Sequence, residues 1–197
     1  MTRNPTRIKT LIAACAFAAA CLITTSPPAK AEVAVGAGLE SAFALFTGYD
    51  QAQGGNLVAT LDAAAVQVNW SRGRTPSGQA TAFLPRGGAV INGGTIFVDS
   101  QYADASAEAL AALLAHESRH AVDLIQAGRA LDPAACMDSE IRAHLEQARA
   151  WAYLTSPTGR DGTDVLLEQD LNDLLAASQQ GPQAVQDWII ARGISRC

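Results

Sequence analysis

The sequence predicts an α+β fold, a small and mostly antiparallel sheet followed by a packed helical half. Three observations carry that prediction. Between residues 65 and 99 the chain is rich in Val and alternates apolar with polar residues, and Asn92-Gly93 supplies a hairpin turn signal. From about residue 104 the apolar residues recur at helical spacing instead. Gly54-Gly55, Gly128 and Asp132-Pro133 mark where helical segments end or start.

Before the sheet, LESAFALFTGYDQ (39–51) has helical spacing that Gly54-Gly55 ends, and residues 56–65 form a second short helix. VQVNW (66–70) and ATAFL (80–84) read as strands, with SRGRTPSGQ as the loop between them. AVINGGTIFVD (89–99) reads as a hairpin. Asp104 or Ser106 can cap a helix that runs to Ala127, where Gly128 can end it. Asp132-Pro133 starts a second helix, Asp as cap and Pro in the first turn, which runs to Tyr153 or Leu154. Residues 163–178 and 182–192 give two more.

The N-terminus has a different character. MTRNPTRIKT carries Arg3, Arg7 and Lys9, an apolar run follows from Leu11 to Ile23, and Ala29 and Ala31 are spaced as A-x-A. These are the parts of a secretory signal peptide, so residues 1–31 are expected to be removed near Ala31 and residues 32–197 to form a single exported domain. The apolar run is shorter than the roughly 18 residues of a membrane span. A lipoprotein signal fits less well, since neither Cys15 nor Cys21 follows a Leu-containing box.

The first 31 residues hold four of the 14 basic residues and none of the 19 acidic ones, which leaves ten against 19, a charge near −9. That argues against nucleic acid or anionic lipid as a partner. Two cysteines remain, Cys136 and Cys197, and in an exported protein such a pair is most simply a disulfide.

The chemistry concentrates in LLAHESRHAVDL (113–124), which holds two of only three histidines. His116 and His120 are four apart, so on a helix they stand one above the other, about 40° apart around the axis. Two imidazoles so placed can hold one metal ion, and Glu117 is offset to one side, where it can take a proton from metal-activated water. This is the HExxH arrangement, with Zn2+ as the expected cofactor. Zinc sites of this kind use three protein ligands. The candidates for the third are Asp123, Cys136, Asp138, Glu140 and His144. Glu140 ranks first, because the short connection AGRALD makes the two helices antiparallel and small Ala143 lets them approach. His144, one turn further, can be a ligand instead, a supporting group or a transition-state donor. Asp123 suits support of a ligand better than ligation.

HESRHAVD followed by DSEIRA resembles the gluzincin group of zinc metallopeptidases. The resemblance covers about Thr95 to Ala143. It implies a minimal zincin-like fold, zinc held by His116, His120 and Glu140, and Glu117 as the catalytic base in hydrolysis of a peptide or protein substrate. It also implies that the strand Thr95, Ile96, Phe97, Val98 and Asp99 lines the cleft and pairs with the peptide by strand addition. Ser139 stands where the group usually has Asn, and His144 where it usually has Asp. No downstream His matches the group's transition-state donor, which leaves Tyr102, Tyr153, His144 or Arg142 for that role. The alternative reading is an exported zinc-binding module on the same fold without hydrolytic activity.

Overall fold

The computed structural model describes residues 32–70, the backbone of 81–83, and residues 94–128 and 131–193. All of them belong to the unit Ala31–Cys197. The signal-peptide segment, the first arm and turn of the expected hairpin, and Cys197 lie outside the described residues. In chain order the elements are β1 (Ala34–Val35), α1 (Glu40–Ala52), α2 (Leu57–Ala63), β2 (Gln67–Trp70), β3 (Thr81–Phe83), β4 (Thr95–Val98), a 3-10 turn (Ser100–Tyr102), α3 (Ala107–Ala127), α4 (Pro133–Leu154), α5 (Leu166–Gln180) and α6 (Pro182–Ala191).

The fold is mixed and mostly helical, as an α+β reading expects, but its sheet is not mostly antiparallel. The strand order is β1-β2-β4-β3. β1 pairs with β2 in parallel and β2 with β4 in parallel, Val68 standing opposite Ile96. Only β3 runs antiparallel to β4, Thr81 opposite Phe97. Parallel neighbours need a crossover between them. Helices α1 and α2 lie between β1 and β2 in the chain, and β3 lies between β2 and β4. The alternation in β4 was legible: Ile96 and Val98 are fully buried while Thr95 and Phe97 are only partly covered.

Helix α3 lies at the centre, in contact with α1, α2, α4, α5, β3 and β4. Its first turn is capped by Ser106, whose Oγ accepts from the Ala109 amide at 3.3 Å, and Gly128 ends it in the left-handed conformation at φ 63°. Between the caps, residues 109–118 are all buried. A helix buried on every side is a core helix rather than a surface one, and the alanines at 109, 111, 112 and 115 let its neighbours come close. His116 and Glu117 are buried as a consequence.

Helix α4 packs along α3. Asp132 caps it, accepting from the Ala135 amide at 3.0 Å, with Pro133 in the first turn. Trp151, fully buried, donates from Nε1 to Asn172 Oδ1 of α5 at 2.9 Å. A smaller core of Ala148, Leu174, Val185 and Ile189 joins α4, α5 and α6. Helix α5 starts at Leu166, three residues later than its apolar pattern suggests. Thr163 closes a turn there, accepting from the Val165 amide at 3.2 Å and donating to Glu168 Oε2 at 2.7 Å.

Candidate metal centre

His116 and His120 project from one face of α3 and Glu140 from the facing side of α4. His120 Nε2 lies 3.1 Å from His116 Nε2 and 3.4 Å from Glu140 Oε2. One donor atom from each of the three residues lies within 4.8 Å of the others, so the group could hold a metal ion. Metal–ligand bonds of about 2.0–2.2 Å in a tetrahedron put neighbouring donors roughly 3.3–3.6 Å apart, and the two printed separations fall near that range.

The His116 imidazole is in the form a metal needs. Burial holds His116 well below the usual histidine range, and repulsion from His144 and His120 adds to it. His144 is lowered to about 4, first by burial. A neutral imidazole is the ligating form. Burial raises the Glu140 carboxyl, but its hydrogen bond with His120 and the charges of His120 and His144 outweigh that and bring it below the usual range. The buried His116 ring is met from α4 by Gln147 and the Ala143 backbone.

His120 is also supported from α4. Its Nδ1 lies 3.0 Å from Ser139 Oγ, which donates to Asp123 Oδ2 at 2.7 Å. Asp123 therefore stands behind a ligand rather than among the ligands, where the sequence put it. Arg142 donates to the same carboxylate at 2.9 Å, so it faces away from the metal side. The sequence marked Ser139 only as a departure from a pattern. Its place beside Asp123 follows from the α3–α4 pairing, which spacing alone does not give.

Glu117 is 3 % exposed, and its Oε1 lies 3.8 Å from His116 Nε2, beside the ligand atoms and not among them. Burial pushes its carboxyl well above the usual range, with repulsion from Glu140 adding to the effect. A buried carboxyl so placed beside the three-residue group is a candidate proton carrier. It lines a cavity of about 340 Å³ together with Tyr102, His116, His144 and Trp188. The apolar part of the wall comes from Leu113 of α3 and from Leu167, Leu171 and Leu174 of α5. Sequence reasoning missed the contribution of α5 and α6. The i, i+4 pair Trp188 and Arg192, stacked 4.0 Å apart, was readable on α6, but nothing in the sequence placed that helix beside His116.

Of the proposed donors, Tyr102 and His144 line this cavity. His144 Nδ1 donates to the Glu140 carbonyl at 2.8 Å, and the ring packs edge-on against His116 with centroids 4.3 Å apart. Burial raises the Tyr102 hydroxyl above its usual pKa, so it keeps its proton. Tyr153 is 52 % exposed and packs on Tyr49, outside the cavity lining.

The expectation of strand addition at Thr95, Ile96, Phe97, Val98 and Asp99 is corrected. β4 is an inner strand, paired with β2 on one side and β3 on the other, so its backbone has no open edge for a peptide. Asp99 is buried and caps the following turn, accepting from the Gln101 amide at 2.9 Å. Asp138 and Cys136, the remaining ligand candidates, do not join the three-residue group. Cys136 carries no free thiol, and its expected partner Cys197 is outside the described residues.

No protein family, no curated protein and no solved structure matches this chain. The function must therefore be argued from the site itself.

Proposed function

We propose that the chain is an exported zinc-dependent peptidase on a zincin-like fold, with His116, His120 and Glu140 holding the metal and Glu117 as the base. The observation that carries this reading is the juxtaposition of the three-residue group with a buried carboxyl, Glu117 Oε1 lying 3.8 Å from His116 Nε2, with His116 and Glu117 in the wall of one cavity. Two imidazoles and a carboxylate are a donor set that suits zinc and leaves a position open. When bound, zinc acidifies a water and polarises a carbonyl.

The chain's own residues do the rest. Glu117 takes a proton from the attacking water and passes it to the leaving amine. Tyr102 keeps its proton at neutral pH and can donate a hydrogen bond to the carbonyl oxygen as charge builds there. The leucines of α5 and Trp188 exclude water around the reacting groups. The substrate enters along α5 and α6 rather than along β4. Removal of residues 1–31 fits an exported enzyme, and a Cys136–Cys197 disulfide would tie the C-terminus to α4.

The rival reading keeps the metal and drops the hydrolysis. It is favoured by the commitment of His144 Nδ1 to a carbonyl, which leaves Tyr102 as the one hydroxyl donor in the described cavity wall. Digestion of a broad peptide library separates the two. Cleavage that stops with a chelator and with Glu117→Gln supports the peptidase; no cleavage by zinc-loaded protein supports the binding module.

A further inference from the structure

His120 is held by a chain of groups that ends in two arginines. Ser139 Oγ lies 3.0 Å from His120 Nδ1 and 2.7 Å from Asp123 Oδ2. A serine hydroxyl has one proton to give, and an ionised carboxylate only accepts. The hydroxyl therefore donates to Asp123, and its lone pair accepts the proton on His120 Nδ1. That fixes the tautomer of His120: the lone pair is on Nε2, the atom that lies 3.1 Å from His116 Nε2 and 3.4 Å from Glu140 Oε2.

Asp123 is in turn held on both oxygens. Arg142 reaches Oδ2 at 2.9 Å and Arg119 reaches Oδ1 at 2.9 Å, and the aspartate is 6 % exposed. A buried carboxylate with two guanidinium partners has little freedom to turn away. Ser139 directly precedes Glu140 on α4, while Asp123 lies three residues after His120 on α3. The same bonds thus tie the two helices together at the level of the ligands. His116 is met from α4 by Gln147 and the Ala143 backbone instead.

We propose that Ser139 is the positioning residue that makes His120 a metal ligand, with Asp123 and its arginine pair as the anchor. The site's hold on its metal is then set in part through this relay. This rests on the metal reading above and adds to it a control point on the far side of the ligand, where Arg142 is half exposed.

The test is zinc affinity, measured by competition with a chromophoric chelator on the purified chain. Loss of a partner behind a metal-bound histidine typically weakens binding about 10–100-fold. Ser139→Ala is expected to fall in that range, and Ser139→Thr, which keeps the hydroxyl, to restore most of the affinity. Arg142→Ala loosens the anchor from the surface without opening the core, and a several-fold loss is expected.

A second readout needs no metal. In the apo protein the ring nitrogens of His120, followed by nitrogen NMR, report one tautomer in the wild type and a mixture in Ser139→Ala. A merely structural role for Ser139 would leave that ratio unchanged. A Ser139→Ala protein with wild-type zinc affinity and an unchanged tautomer overturns the relay while leaving the metal site standing. A folded wild type that takes up no zinc overturns the metal reading and the relay together.

Discussion

At the scale of single residues the account rests on Glu117. Glu117→Gln removes the proton carrier while keeping the shape, so zinc content should stay at the wild-type level and turnover should fall about 10²–10⁴-fold. Steady-state kinetics beside elemental analysis checks both halves, and an active variant would remove Glu117 from the role of base. Tyr102→Phe tests the donor. If the hydroxyl stabilises the developing charge, kcat should drop about 10²-fold with KM little changed. Much of this scale was readable in HESRH and in Glu140, because helical spacing fixes which side chains share a face. The support behind His120 was not readable, because Ser139 and Asp123 meet only through the packing of α4 on α3.

At the scale of elements, both ends of α3 can be tested. Gly128 has φ 63°, and a Cβ built there meets nothing within 4 Å. Gly128→Ala should therefore cost backbone strain alone, about 1 kcal/mol, or a fall in Tm of roughly 2–4 °C for a chain of this size. At the other end, Glu168 of α5 reaches the cap of α3. Burial raises its pKa, but hydrogen bonds from Ser106 and Thr163 and the charge of Arg160 outweigh that and bring it below 4.5. A carboxyl with a lowered folded pKa stabilises the fold above its unfolded pKa, and that stability is lost as pH falls through the folded value. The wild type should thus lose stability below about pH 4.5. Glu168→Gln should be less stable at neutral pH by about 2–3 kcal/mol and flatter across the acid range, as denaturant titrations at several pH values would show.

The helices were largely legible from their caps, since Ser106, Gly128, Asp132 and Pro133 each stand where the chain turns. The sheet was less so. The direction of pairing depends on which strands meet, and β1, with two residues, carries no period to read. An isolated pattern such as TIFVD shows which face is buried, but not whether the strand lies at an edge. For that reason the strand-addition expectation failed although the strand itself was found.

At the scale of the whole molecule, the proposed export predicts a disulfide between Cys136 and Cys197, as an oxidising compartment would allow. Reduction followed by alkylation should raise the intact mass of residues 32–197 by two alkyl groups, while two free thiols in the native protein would contradict the disulfide. Among the described residues no helix is long and apolar enough to cross a membrane. The central claim is that α3 and α4 pack to hold one metal ion. Its most direct test is the zinc-to-protein ratio of the purified chain, by elemental analysis after loosely bound metal has been removed. The account predicts about one zinc per chain in the wild type and a large loss in His120→Ala. Folded protein without zinc would mean that His116, His120 and Glu140 are a packed polar cluster and no metal site, and the peptidase reading would fall with them.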